Sequence, residues 1–314
     1  MDGAAKGLGF ALVSAATFGL SGSFASSLLV TGWSPGATVT ARVALAALLL
    51  LPFAVRAVRG RRLPWARLSR TCIAFGLLGV ATAQLCFFQA VERLPVGVAL
   101  LLEYSGALLV VGWLWLRHQQ RPRRLTVAGA AVSVVGLLLV LDLVGDTSLD
   151  LLGVAWGLGA AVGLAAYFLL SAQQHDDLPP VLVACGGLLA GAVVLATAGA
   201  TGVLAMRTSS VDVVLLDASL PWYVPLVGLA LFAGSIAYAT GIAGARLLGA
   251  KVASFVGLTE VLFAVAFALV LLGQRLSPWQ LLGGVAVVAG IALVRVDELR
   301  GAPAETPEPL PVAG

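Results

Sequence analysis

Residues 96–116 read VGVALLLEYSGALLVVGWLWL, and residues 251–271 read KVASFVGLTEVLFAVAFALVL. Each is long and apolar enough to cross about 30 Å of hydrocarbon as an α-helix. Each carries a single glutamate, Glu103 in one and Glu260 in the other. A short polar turn follows each, and then a second apolar stretch: LTVAGAAVSVVGLLLVL at 125–141 and WQLLGGVAVVAGIALV at 279–294. A shift of 154 residues lays the later pair on the earlier one. Val98-Ala99 falls on Val252-Ala253, Gln120-Arg121 on Gln274-Arg275, Gly129 on Gly283, Gly136 on Gly290 and Leu139-Val140 on Leu293-Val294.

Working outward, the chain is 60% hydrophobic and only 11% charged, against roughly 45–50% and about 25% in a soluble domain. The apolar residues gather into ten stretches of membrane-spanning length, near 8–30, 36–54, 71–91, 95–116, 125–142, 151–171, 179–202, 221–244, 250–272 and 278–295. The expected fold is therefore an all-α polytopic membrane protein, multi-pass in the cytoplasmic membrane. Ten spans divide into two repeats of five, 1–148 and 149–300, with the boundary near Asp146–Leu149 and a Pro-rich, disordered cytoplasmic tail at 301–314. Five is odd, so the second repeat enters the bilayer inverted. Such repeats build alternating-access carriers whose substrate site lies at the repeat interface near mid-bilayer.

The net charge of +4 is better read as topology than as affinity for nucleic acid. One side of the membrane takes Lys6, Arg56, Arg59, Arg61, Arg62, Arg67, Arg70, Arg117, Arg121, Arg123, Arg124, Arg246, Lys251, Arg295 and Arg300. The other takes only Arg93, Arg207 and Arg275, along with Asp142, Asp146, Asp150, Asp212 and Asp217. The positive-inside rule places both termini in the cytoplasm, in keeping with an even number of spans. The three cysteines, Cys72, Cys86 and Cys185, fall within spans as small apolar residues, which argues against a disulfide framework. Trp33, Trp65, Trp222 and Trp279 stand at span ends as interfacial belt residues. Glycine pairs such as Gly153/Gly157, Gly159/Gly163 and Gly187/Gly191 recur one turn apart, the spacing that lets membrane helices approach closely. No proline interrupts the middle of a span, so the sequence does not announce a broken helix.

Ionisable residues at membrane depth face a cavity or a partner, and three are present: Arg42, Glu103 and Glu260. Glu103 lies about 12 Å beyond Pro95, and Glu260 about 13.5 Å beyond Lys251, at about 1.5 Å per residue. One enters from each side, so both reach the midplane. In the repeat register Glu103 falls over Gly257 and Glu260 over Gly106, an offset of three that keeps both on one face of the repeated helix. A carboxyl group in low dielectric can exchange protons near neutral pH, hold the amino group of a zwitterionic substrate, or clip two helices together by hydrogen bonding. Arg42 can snorkel to the interface, pair with a glutamate, or hold a substrate carboxylate. Secondary polar candidates are Gln84, Gln89, Ser21, Ser23, Tyr104, Tyr167, Tyr238 and Thr259, with the hydroxyl side chains prone to bond back to their own helix.

These residues carry a resemblance. The two five-span halves, the Thr40-Ala41-Arg42 run and the segment LLGQRLSPWQLLGGVAVVAGIALV resemble the drug/metabolite transporter superfamily, EamA type, with Gln274 where glutamate is usual. Within it, ERLPVGVALLLEYSGALLV and Thr259-Glu260-Val261 resemble the threonine/homoserine exporter branch, with Ala107 and Val261 where that branch has proline. The resemblance implies that spans 1, 3, 4, 6, 8 and 9 line a central cavity, and it favours Gln84, Glu103, Tyr167, Tyr238 and Glu260 over Arg42 as substrate-facing.

No H-E-x-x-H, C-x-x-C, P-loop or nucleophile elbow occurs, and His118 and His175 stand at helix ends. The expected protein is not an enzyme and has no cofactor or metal. It exports small metabolites, amino acids or related compounds, by alternating access, with protons as a candidate coupling ion. Its other partner is the bilayer, and not nucleic acid. The alternative from another class is a membrane sensor or lipid-handling protein on the same scaffold.

Overall fold

The computed structural model describes residues 2–60, 63–94, 96–119, 121–140, 150–173, 177–215, 218–272 and 277–301. Pro95, Gln120, Gln274-Arg275, Arg61, Arg62, His175, Asp142, Asp146, Asp217 and the tail from Ala302 lie outside them. The chain is a bundle of apolar helices: α1 (Gly3–Val30), α2 (Pro35–Val58), α3 (Trp65–Val91), α4 (Val96–Arg117), α5 (Arg124–Val140), α6 (Leu151–Ser171), α7 (Pro180–Ala200) and α10 (Pro278–Arg300). Between α7 and α10 run α8 (223–248) and α9 (250–272). Eight apolar helices among the described residues are long enough to cross a membrane when Tyr223–Gly257 is taken as one. Within it the path turns at Gly249, with φ 78° and ψ 159°, a region essentially closed to residues with a Cβ. That one glycine joins two spans without a loop.

Local chemistry sets the helix starts. Ser34 accepts from the Ala37 amide ahead of α2, and Asp150 accepts from Leu152 and Gly153 ahead of α6. Ser277 and Gln280 exchange side-chain and backbone bonds ahead of α10, the reciprocal capping-box arrangement.

Two ends of the bundle can be distinguished. At the terminal end Gly7 lies against Leu247 and Leu248, Lys251 pairs with Glu298, Arg67 meets Asp177 at 3.0 Å and Arg246 donates to the Leu178 carbonyl at 2.6 Å. At the far end, Trp33 and Ser34 bond to Ser209 and Arg207. The connection after α7 carries a short antiparallel pair, β1 (Val213–Leu215) and β2 (Ala218–Leu220). Val213 inserts among Leu28, Trp33, Ala37 and Leu226, so burial of a β-branched side chain orders the segment. Trp33, expected in the interfacial belt, is 6% exposed and packs on Trp222 at 5.6 Å. That is a correction: the hairpin covers it. Trp65 and Trp279 are exposed, as belt residues are.

One of the most extensive helix pairs is α5 with α10. It is antiparallel and nearly backbone to backbone: a Cβ on Gly129 would sit 2.6 Å from the Gly290 carbonyl oxygen, and one on Gly283 2.7 Å from that of Gly136. These are the four glycines that the 154-residue shift equates, and the shift exchanges the two contacts. The other pairs follow the same rule. α1 packs on α8 as α6 packs on α3, α9 on α1 as α4 on α6, α2 on α8 as α7 on α3, and α2 packs on α7.

Regularity fails at matching places. α3 is a wide π-helix over Phe75–Thr82, and α8 over Ala230–Ile236, where Thr82 and Ser235 bond to carbonyls five residues back. α4 and α9 each lose a residue of α-helix at Ser105 and Leu258, and α1 does so at Leu20. Ser105 and Thr259, 154 residues apart, each bond to a carbonyl three residues back, at 2.6 and 2.7 Å. No proline marks these sites. Hydroxyl groups competing for the helix ladder do.

Two outcomes test this packing. Gly249→Ala is expected to lower stability by about 1–3 kcal/mol, read as the midpoint of thermal unfolding in detergent, whereas Gly9→Ala, in a helix with open space around it, leaves the midpoint unchanged or raises it. Gly283→Val is expected to cost at least as much, on the order of 1–3 kcal/mol, because its Cβ meets backbone that cannot swing aside.

Candidate functional site

The helices that carry these distortions surround a cavity of about 550 Å³. It runs from Leu29, Pro35, Val91 and Val96 near the far end to Ala11, Phe168 and Ala253 towards the terminal end. Beyond it on that side lies an apolar plug of Ala11, Ala245, Leu248, Val252, Ala253 and Val256. Eight of the eleven polar residues singled out from the sequence line this cavity: Ser21 from α1, Arg42 from α2, Gln84 from α3, Glu103 and Tyr104 from α4, Tyr167 from α6, Tyr238 from α8 and Glu260 from α9. The resemblance excluded α2 and α10 from the wall, but Arg42 and Gln280 bring both into it.

The floor is aromatic. Tyr167 and Tyr238 cross at 5.6 Å and 89°, Phe18 stacks edge-on to Tyr238 at 5.1 Å, and Phe168 lies 4.9 Å from Tyr167. Perpendicular rings suit the positive edge of one to the negative face of the next. The Tyr167 hydroxyl reaches Ser14 and lies against Gly241, while Ser14 donates to the Ala237 carbonyl at 2.8 Å. Gln84 meets Tyr238 side chain to side chain. The shift of 154 carries 84 onto 238, so these repeat counterparts touch each other.

Above the rings are the charges. Tyr104 and Glu260 interact through their side chains. Glu260 stands in the first turn of Thr259–Leu272 and Glu103 in the last turn of Val96–Tyr104, so the break in each helix places a carboxylate at a segment end. Arg42 is 6% exposed and donates through Nη1 to the Ser21 hydroxyl at 3.2 Å. Among the described residues no carboxylate comes within 4.0 Å of it, so neither snorkelling nor a direct ion pair describes it.

Other polar candidates fall elsewhere. Gln89 is buried, donating to the Val203 carbonyl at 3.2 Å and accepting from Arg93 at 3.0 Å, so it joins α3 to the far-end loop. Ser23 is buried outside the cavity lining, and Thr259 is spent on its own helix. Ser14, Phe18, Phe168 and Gln280 line the cavity without having been singled out. Gln280 was visible as the one amide in an apolar span, but Ser14 and the phenylalanines carry no signal separating them from ordinary packing. Among the described residues no group of three or more His, Cys, Asp or Glu is placed to hold a metal ion, and Cys72, Cys86 and Cys185 are free.

Comparison with known proteins places this geometry. The chain is 28% identical over 284 residues to the threonine/homoserine exporter RhtA of Escherichia coli (strain K12), covering 88% of this chain and 87% of that one. It is 30% identical over 271 residues to the same-named exporter of Salmonella typhimurium (strain SL1344), covering 85% and 83%. An uncharacterized inner membrane transporter, YicL of Salmonella typhimurium (strain LT2), is 24% identical over 237 residues, or 73% and 74% of the two chains. A solved crystal structure superposes with a TM-score of 0.73 at 21% identity, covering 94% of this chain and 98% of that one, which shows a shared fold. The EamA-like transporter family matches twice, at residues 5–142 and 151–296. The chain is a multi-pass membrane protein and belongs to the EamA-like transporter family.

Proposed function

We propose that the protein is a secondary carrier that exports amino acids, or small polar compounds like them, from the cytoplasm by alternating access. The observation that carries this reading is the convergence of Glu103 and Glu260, one from each half of the chain, on a single cavity of about 550 Å³. That volume lies within the ordinary range for small-molecule sites, about 300–1,000 Å³. The relatives named as threonine/homoserine exporters support the substrate class.

The inverted-repeat reading rests on the register. The α5–α10 glycine contacts, the π-helical segments and the interruptions at Ser105 and Leu258 recur at or within a residue of the 154-residue shift. With the termini in the cytoplasm, as the distribution of basic residues favours, the far end faces outward. The cavity then reaches towards the outside, and the apolar plug behind Phe168 and Ala253 separates it from the cytoplasm. Rocking of one half against the other would open that plug and close the far end. The two glutamates hold the substrate ammonium group, exchange a proton with it, or do both in turn.

Reconstitution distinguishes these roles. Liposomes containing only this protein are expected to show counterflow of labelled L-threonine, and Glu103→Gln and Glu260→Gln are each expected to reduce it at least tenfold if the carboxylates hold the substrate. If they carry the proton instead, the amide variants keep counterflow but lose accumulation driven by an imposed pH gradient. Wild-type rates in both assays for both variants would overturn the role given to the glutamates. Absence of counterflow for any amino acid in the wild type would favour a sensor on the same scaffold.

A further inference from the structure

A buried guanidinium in a membrane protein has to satisfy its donors. Arg42 does so on one side only. Nη1 is held by the Ser21 hydroxyl at 3.2 Å, whereas Nε and Nη2 are buried without a hydrogen-bond partner. The two unpartnered nitrogens are not an arbitrary pair. Nε–H and the neighbouring Nη2–H project in parallel from one edge of the guanidinium plane, at the spacing of the two oxygens of a carboxylate, and together form the two-pronged edge that binds such a group bidentately. Arg42 lines the cavity, as does Ser21, so this edge belongs to the wall of the site.

Among the described residues no side chain takes that edge. Glu103 and Glu260 line the same cavity but form no ion pair with Arg42. The three charged groups therefore act on one another through space without touching. A fixed cation with a free two-pronged edge stands on α2 beside Ser21 of α1, and two acids stand on α4 and α9 of the same wall, with Tyr104 beside Glu260. A guanidinium present only to neutralise the glutamates would be expected to touch one of them. Leaving two charged donors dry is costly, and a ligand carboxylate removes that cost.

We propose that the Nε–Nη2 edge of Arg42, steadied by Ser21, is the carboxylate anchor of the site, and that it selects zwitterionic amino acids over the corresponding amines and amides. The inference rests on the carrier reading for its consequence in transport, though not for the anchor itself. The bound molecule lies with its carboxylate against α2 and its ammonium group towards Glu103 and Glu260.

The test has a transport arm and a binding arm, both on the purified full-length chain. In counterflow of labelled L-threonine, unlabelled L-threonine is expected to compete at least a hundredfold better than L-threoninamide or 1-amino-2-propanol, which lack the carboxylate. Arg42→Lys, which keeps the charge but loses the fork, is expected to raise KM at least tenfold while changing kcat only a few-fold. Arg42→Gln is expected to lose the discrimination against threoninamide. Ser21→Ala is expected to raise KM by a smaller factor.

In the binding arm, L-threonine is expected to raise the unfolding midpoint of the wild type, threoninamide to do so far less, and Arg42→Gln to abolish the difference. If Arg42→Gln does not fold, the comparison of analogues on the wild type decides the matter alone. Equal competition and equal stabilisation by threonine and threoninamide would overturn the anchor. Stabilisation by threonine and not by threoninamide, without counterflow, would leave the anchor standing and overturn the carrier reading. No stabilisation by threonine and no counterflow would overturn both.

Discussion

In hydrocarbon a backbone amide has no water to turn to, so every span must close its own hydrogen bonds, and every polar side chain must find a partner inside the bundle. That constraint governs the rest of the structure. It makes the spans helical, and it removes the hydrophobic effect as a force between them, leaving close packing to hold the bundle together. The contact of α5 with α10, where glycine meets glycine backbone, is the extreme case. It also means that an irregularity in the ladder survives only where protein or a cavity supports it. The interruptions at Leu20, Ser105 and Leu258 and the π-helical turns of α3 and α8 all belong to helices that line the cavity. Their hydroxyl groups take up carbonyls that the regular ladder would have used.

Much of this was legible in the sequence because membrane proteins write their constraints in bulk properties. Span positions follow from apolar length, and the repeat from the register of glycines in α5 and α10. Glu103, Glu260 and Arg42 drew attention because charge at that depth is expensive wherever it faces lipid. What was not legible depended on contacts between distant segments. Trp33 looked like a belt residue because nothing local says that residues 209–215 fold back over it. Gln84 and Gln89 sit five residues apart and read alike, yet one meets Tyr238 across the cavity while the other joins α3 to a loop. The helix breaks carry no proline, so a search for prolines could not find them. Hydroxyl residues such as Ser105 and Thr259 are the trace they leave, and a hydroxyl in a span more often leaves its helix intact.

The scaffold and the site differ in symmetry, and the difference bears on mechanism. The glycine contacts of α5 with α10 and the π-segments are exchanged by the 154-residue shift to within a residue, which under the proposed carrier function would give two related conformations of similar packing. The polar groups do not obey that exchange. Glu103 ends a helical segment and Glu260 begins one, and Arg42 in α2 has no basic counterpart anywhere in α7. A fully symmetric site would hold a zwitterion in two opposite orientations and specify neither. Under the proposed function, one cation and two acids would give the substrate a single polarity that persists as the halves rock around it. On that reading pseudo-symmetry in the helices would permit the motion, and its loss in three charged residues would keep the cargo in one pose while the motion occurs.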